Sequence, residues 1–232
     1  MVGLEPSCTA VFRSDATELL PADQDAHRLA GVFRTFAELL DDRVREGGWR
    51  PPHLSRPATV QTHCHQHAVL GFEADRRLME AAGLSADVLD EGCCGLAGNF
   101  GFERGHGELS FRIGELGMLP AVREAPTGGL VLADGFSCRT QIDEAGTGRR
   151  ALHLAEALDL GLRAEGPLPA HRPERLADRP APPSAAAART ATALAAAAGL
   201  VAALGGLAAL AGRAGLRRKA PTPLRHPRVG PR

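Results

Sequence analysis

The stretch that decides the fold is Ala58-Thr59-Val60-Gln61-Thr62-His63-Cys64-His65-Gln66-His67. Its first five residues have strand length and are too short for a helix. They give way at once to polar residues, a cysteine and a helical pattern. The same order of events recurs along the chain. Asp87-Val88-Leu89 precedes Cys93 and Cys94, Leu130-Val131-Leu132-Ala133 precedes Cys138, and Val2-Gly3-Leu4 precedes Cys8. Between these runs lie helical patterns. Residues 23–46 place Leu29, Val32, Phe33, Phe36, Leu40 and Val44 on one face, ended by Gly47-Gly48. Further helices are predicted over 66–82, stopped by Gly83, over 108–116 before Pro120, and over 149–160.

Strands alternating with helices imply βαβ units and a parallel sheet. In such a sheet the strand C-terminal ends gather along one edge, where ligands bind. The expected fold is therefore α/β, a parallel-sheet domain with a metal site at the strand C-terminal ends and an Ala/Pro-rich C-terminal tail. All five cysteines follow a strand-like run, so residues distant in sequence are brought to one edge. The bland alternative is that cysteine simply favours burial.

Five cysteines in 232 residues are an odd count, which argues against a disulfide framework. The start MVGLEPSCTA has neither a basic n-region nor an apolar h-region, so no signal peptide is read there. A reducing cytoplasm follows as the default, where clustered cysteines serve metal or redox chemistry. The 27 Lys plus Arg balance 27 Asp plus Glu, and aromatics are 4% with no Tyr. Neither a basic field nor stacking platforms point to nucleic acid. The zero balance is a cancellation. Residues 181–232 hold eight basic side chains and no acid, leaving 19 basic against 27 acidic in residues 1–180.

Thiolate-rich sites select iron–sulfur clusters, zinc or copper(I). Structural zinc usually takes C-x2-C pairs, which are absent. Adjacent Cys93 and Cys94 suit several metal atoms better than one tetrahedral ion. The glycines of Cys93-Cys94-Gly95-Leu96-Ala97-Gly98-Asn99-Phe100-Gly101 allow close backbone approach and N–H groups aimed at sulfur. A tight strand-to-helix turn is the plainer reading of that loop. Cys64 sits at an expected helix start, which favours thiolate. His63 and His65 either assist the metal or end a strand with satisfied imidazoles. Arg139 either offsets an anionic cluster or lies on the surface. Thiol–disulfide exchange at Cys93-Cys94 is the weaker alternative, since neighbouring cysteines form a strained bridge.

Three stretches carry a family resemblance. They are His63-Cys64-His65-Gln66, Asp90-Glu91-Gly92-Cys93-Cys94-Gly95-Leu96-Ala97-Gly98-Asn99-Phe100-Gly101, and Ala133-Asp134-Gly135-Phe136-Ser137-Cys138-Arg139-Thr140-Gln141-Ile142. Together they resemble the cysteine-rich "CCG" domain found in heterodisulfide reductase and in the iron–sulfur subunit of glycolate oxidase. The nearest likeness is to the C-terminal part of FAD-linked oxidases of the D-lactate dehydrogenase type. It covers about residues 1–160 of the chain. The family usually carries two repeats, and Glu5-Pro6-Ser7-Cys8 is similar to the closing motif of the first. Here Cys138-Arg139-Thr140-Gln141 has one cysteine where the fuller pattern has C-x-x-C.

The resemblance implies an iron–sulfur cluster of the 4Fe-4S kind, held by Cys64, Cys93, Cys94 and Cys138 with Cys8 as a further ligand. His63, His65, Gly95 and Arg139 would lie around it. It implies an electron-transfer module of an oxidoreductase acting on D-lactate, glycolate or a similar 2-hydroxy acid. FAD would sit on a partner or further domain, and the electron acceptor is left open. The alternatives are a non-catalytic docking fragment of such an enzyme and a zinc-binding structural domain.

The expected organisation is a remnant of a first repeat at 1–20, a helix and connector at 21–57, and the second cysteine-rich repeat at 58–163. A Pro-rich linker at 164–184 and an Ala-rich helix with a basic tail at 185–232 complete it. Residues 190–212 are an uncharged run of 23, long enough to span a membrane but only marginally apolar. The reading offers either an Ala-rich tail in the cytoplasm or a contact with the inner face of the membrane.

Overall fold

In the computed structural model, residues 1–178 are described, apart from 91 and 165. The cysteine-bearing loops hang on a four-stranded sheet of β3 (Arg56–Gln61), β4 (Leu84–Leu89), β5 (Leu130–Ala133) and β6 (Ala151–Leu152). The order is β4-β3-β5-β6 and every pairing is parallel, with Ala58 level with both Ala86 and Leu130. This is the α/β parallel sheet expected from the alternation of strands and helices.

The all-apolar run of β5 explains its central place, because all four of its residues are buried. Its side chains alternate between two cores. Leu130 and Leu132 join Ala58, Val60, Leu78, Met79, Leu152 and Leu158 on one face. Val131 and Ala133 join Met118, Leu119, Val122, Ile142, Cys94 and Cys138 on the other. Each fully buried leucine contributes about 1.5–3 kcal/mol. Two of the proposed metal-binding cysteines are thus walls of the second core.

Helices cover both faces. The chain enters through β1 (Val2–Gly3), α1 (Pro6–Ala10), a wide turn at Val11–Asp15 and α2 (Ala16–Leu19). The single helix expected over 23–46 is two. α3 (Gln24–Val32) stops, β2 (Arg34–Thr35) pairs in parallel with β1, and α4 (Phe36–Arg45) begins afresh. The cause is a capping box. Thr35 Oγ1 accepts from the Glu38 N–H at 3.1 Å, while Glu38 Oε2 accepts from the Thr35 N–H at 2.8 Å.

The helix expected over 66–82 is broken by Gly71, whose φ of +84° ends a wide turn at Gln66–Leu70 before α5 (Glu73–Ala81). α6 (Gly107–Gly114) is followed by α7 (Met118–Glu124). Pro120 lies in the first turn of α7, where a missing N–H costs nothing. α8 (Phe136–Glu144) carries Cys138. The helix expected from 149 starts later, as α9 (Leu154–Arg163), because Ala151 and Leu152 are spent on β6. His153 caps it by accepting from the Ala155 N–H at 2.9 Å.

The front of the stretch expected as a linker is docked. Leu168, Leu176 and Ala177 pack on the first core. Arg56 donates to the carbonyls of Leu168 and Pro169, and Arg149 donates to Glu174 at 2.8 Å, both of the latter pair buried. Prolines do suit an extended path, but this one is nailed down by two arginines. No helix among the described residues is long and apolar enough to cross a membrane. Residues 190–212 lie outside the described residues.

Candidate metal centre

In the strand order β4-β3-β5-β6 the chain leaves β3 for one side and returns to the other. The carboxyl ends of β3 and β5 therefore flank a topological switch point, where loops diverge and leave a crevice. That crevice is a cavity of about 360 Å³ lined by Ser7, Gln61, His63, Cys64, His65, Gly92, Cys93, Cys94, Ala97, Gly98, Ser137 and Cys138. Four of the five cysteines meet there. Cys64 follows β3, Cys93 and Cys94 follow β4, and Cys138 sits in the first turn of α8 after β5. The fifth does not line it. Cys8 is exposed on α1, and its neighbour Ser7 faces the cavity instead.

The Cys93-Cys94 loop is shaped by backbone of unusual hand. Gly92, Gly95 and Gly98 have φ of +70°, +91° and +70°, and Ala97 has +45°. Gly95 is obligatory for a second reason. A Cβ there would strike the Ser110 carbonyl oxygen and stand 3.2 Å from the Gly114 nitrogen, so the loop rests directly on α6. The turn aims N–H groups at sulfur. The Gly95 N–H donates to Cys93 Sγ at 3.4 Å, and those of Leu96 and Ala97 donate to Cys94. Such donors stabilise negative sulfur and tune a bound metal.

The thiols are electrically coupled. The Cys138 thiol donates to the Cys94 sulfur, and this lowers Cys94 to about 6 against the opposing effect of burial. The same bond, with burial and the other cysteines, pushes Cys138 well up. Cys64 departs from the sequence expectation. Burial, followed by the charge of Cys93, raises its pKa and outweighs the His65 N–H that a turn start supplies. Free thiols crowded in this way resist losing their protons together. A cation is what allows all four to ionise.

The histidines divide. His63 is buried, and its ring packs against Gly135. Its Nδ1 accepts from the His65 N–H at 3.1 Å, and its Nε2 lies 3.9 Å from Glu5 Oε1. Burial lowers His63 more than Glu5 raises it, so the ring is neutral. His65 stacks on His63 with ring centroids 5.3 Å apart. Ligand atoms of His63, Cys64 and His65 all lie within 4.8 Å of one another. His67 is exposed and outside the cavity.

Arg139 turns away. It donates to the carbonyls of Ala133 and Asp134 and lines a separate surface cleft. Its role is to tie α8 to the end of β5.

Sequence reasoning missed Ser7, Gln61 and Ser137. Gln61 is the last residue of β3 and donates to the carbonyls of Thr62 and Gly92, which clips the Cys64 loop to the Cys93 loop. Its Oε1 is buried without a partner. A long amide side chain in the last strand position, two residues before the His63-Cys64-His65 motif, was the available signal. Ser137 accepts from the Gly98 N–H at 3.1 Å and joins the third loop to the second.

The donor set fits an iron–sulfur cluster. It offers four sulfurs, N–H groups facing them, and a cavity in the size range of ligand sites.

No family model matches the chain. Among curated proteins it is similar to the D-2-hydroxyglutarate dehydrogenase of Pantoea ananatis, 27% identical over 165 residues, 68% of this chain and 15% of that protein. Its relatives are dehydrogenases. One subunit of the anaerobic glycerol-3-phosphate dehydrogenase of Escherichia coli is 29% identical over 167 residues, 68% of this chain and 40% of that one. The D-2-hydroxyglutarate dehydrogenase of Escherichia coli is 39% identical over 77 residues, 33% of this chain and 7% of that protein. The chain thus spans less than half the length of these relatives.

Proposed function

We propose that this chain is an iron–sulfur electron-transfer module of a dehydrogenase that oxidises a small 2-hydroxy acid. The observation that carries the reading is the meeting of Cys64, Cys93, Cys94 and Cys138, from three loops, in one cavity at the switch point. Four thiolates match one 4Fe-4S cluster in number. Such a cluster, when bound, supplies one-electron acceptance and release. The chain's own residues do the rest. The loop N–H groups of Gly95, Leu96 and Ala97 steady negative sulfur. Gln61 and Ser137 hold the three loops in register. Cys94 and Cys138 bury their sulfurs in the second core, which keeps water from that side.

The relatives support the oxidoreductase class, and one of them is a subunit of a larger enzyme. We extend this to a flavin-bearing dehydrogenase partner as the source of electrons. The His63-Cys64-His65 group favours zinc as the competing occupant.

Anaerobic reconstitution with iron and sulfide, followed by metal and acid-labile sulfide analysis, decides between them. The expected result is iron and sulfide in equal amounts. Substituting Cys64, Cys93, Cys94 or Cys138 by serine removes them, and Cys8→Ser leaves them in place. Stoichiometric zinc without sulfide overturns the reading.

A further inference from the structure

Beneath the cysteine cavity lies a second polar group that the proposed electron site does not use. Asp75 on α5 is 3% exposed, and Asp134 lies between β5 and α8. Both carboxyls accept from one amide. Gln66 Nε2 stands 3.1 Å from Asp75 Oδ1 and 3.4 Å from Asp134 Oδ2. Gln66 Oε1 in turn accepts from the His63 N–H at 3.2 Å, next to Cys64. The three residues line two small cavities of about 10 Å³ each, each about the room of one water. Gln61, with its unpartnered Oε1, lines one of them and the cysteine cavity as well. On the far side, Asp134 and His153 open onto the broad cleft of about 1100 Å³ that Arg139 also lines.

Two carboxyl groups this close and this buried hold a proton between them unless a cation faces them. The charged groups around the pair supply none: the His63 ring, which also feels Asp134, is buried and neutral. Glu38 on α4 is an acid, already bound by Arg13. Asp41 on α4 takes Arg77 of α5 outward. His153, 3.6 Å from Asp134, accepts at Nδ1 from the Ala155 N–H and reaches the Leu4 carbonyl through Nε2 at 2.7 Å, so both ring nitrogens are already taken up by the main chain. Arg139 points its guanidinium at main-chain oxygens of Ala133 and Asp134. Burial first, then Asp134, accordingly pushes Asp75 up to about 8.

We propose that the Asp75–Gln66–Asp134 network is a proton site serving the cysteine cavity: in alkaline solution, where the pair has shed its shared proton, it takes one up from the cleft when an electron enters the cavity and returns it when the electron leaves, and at neutral pH it keeps that proton in both states. This rests on the iron–sulfur reading above. The step balances as one electron from a reduced flavin or a chemical reductant, plus one solvent proton, which forms an O–H bond on the carboxyl pair. The added negative charge nearby makes the pair bind its proton more tightly. Reduction therefore retains the proton at pH values where the oxidised protein has lost it.

The test is a redox titration of the reconstituted chain from pH 6 to pH 10 with dithionite as reductant. The midpoint is expected to be flat up to about pH 8 and then to fall by about 59 mV for each tenfold drop in proton concentration, the one-electron value. Asp75→Asn, which keeps the shape and the bond to Gln66, is expected to be flat throughout. A slope unchanged in Asp75→Asn, or a flat wild type, overturns the proposal while leaving the cluster intact. Failure to incorporate sulfide overturns the iron–sulfur reading, and this proposal with it. Carbon-13 NMR of the metal-free chain, labelled at aspartate carboxyls, gives a second readout. One carboxyl is expected to titrate near 8 and to vanish in Asp75→Asn. Titration of every aspartate in the ordinary range also overturns the proposal.

Discussion

Gly95→Ala is the sharpest single perturbation of the cysteine cavity. Gly95 has φ of +91°, and a Cβ there meets the Ser110 carbonyl oxygen with the Ser110 carbon at 3.0 Å and the Gly114 nitrogen at 3.2 Å. All of these are helix backbone, which cannot swing aside as a side chain can. Two costs add. A left-handed conformation costs an L-residue about 1–2 kcal/mol. Forcing an extra carbon into filled space costs about 1–3 kcal/mol more. The expected loss is therefore about 2–5 kcal/mol.

Gly98→Ala supplies the control. Gly98 lies in the same loop with φ of +70°, but nothing stands within 4 Å of its Cβ position. It should show only the conformational cost, about 1–2 kcal/mol. Urea denaturation of the metal-free chain reads the difference. With slopes of about 1–3 kcal/mol per molar, Gly95→Ala should melt at about 1 M lower urea than Gly98→Ala. Reconstitution should separate them further, since a loop lifted off α6 carries Cys93 and Cys94 away from Cys64 and Cys138. Equal midpoints for the two variants would refute the claim that the loop rests on α6.

Two further outcomes follow from buried charges. Asp75 is raised in the folded chain from 3.8 to about 8, so the folded state holds a proton that the unfolded state has released. Its contribution to stability is greatest below about pH 4 and declines as pH rises to about 8, by a ceiling of roughly 6 kcal/mol. Asp75→Asn should flatten denaturation midpoints between pH 5 and pH 8 relative to wild type, and a steeper decline in the variant would contradict the assignment. Arg149→Met strands the Glu174 carboxylate, which is 1% exposed and has one oxygen already without a partner. Loss of about 3–5 kcal/mol is expected, read as a lower thermal midpoint with earlier proteolysis near residue 174.

The parts of the fold that were legible in sequence are those decided by local chemistry. The runs at β3, β5 and the strand before Cys93 announced a parallel sheet, because strand-length apolar runs alternated with helical faces. The convergence of Cys64, Cys93, Cys94 and Cys138 followed from topology alone. The helix over 23–46 was misread because its apolar spacing stays in phase across Phe33 and Phe36. The restart depends on Thr35 and Glu38, a capping box hidden inside that pattern. β6 was absorbed into a helix because two residues carry no period. The same topology argument that gathers the four cysteines, with the motif likeness, also brings Cys8 to that edge, and only packing shows that Ser7 takes the position facing the cavity. The docking of Leu168 and Glu174 rests on Arg56 and Arg149, which are distant in sequence and carry no local signal.

The geometry also explains why the polar pair sits where it does. At the switch point the loops after β3 and β5 part, and the backbone there has no sheet partner for its N–H groups. The Leu154 N–H, at the start of α9 after β6, likewise lacks a backbone partner, and Asp134 Oδ1 accepts from it at 2.8 Å. The His63 N–H is another, and Gln66 takes it. An acid and an amide are thus needed for structure alone. Asp75 is different. Gln66 could donate to a solvent-facing group or to a neutral amide, and an asparagine at 75 would satisfy it without burying a second acid. A buried carboxyl with no facing cation weakens the fold at neutral pH. Stability gives no reason for the acid at this position, whereas a proton site beside an electron site requires one. The pH dependence of the midpoint potential in Asp75→Asn is therefore the measurement that separates the two accounts.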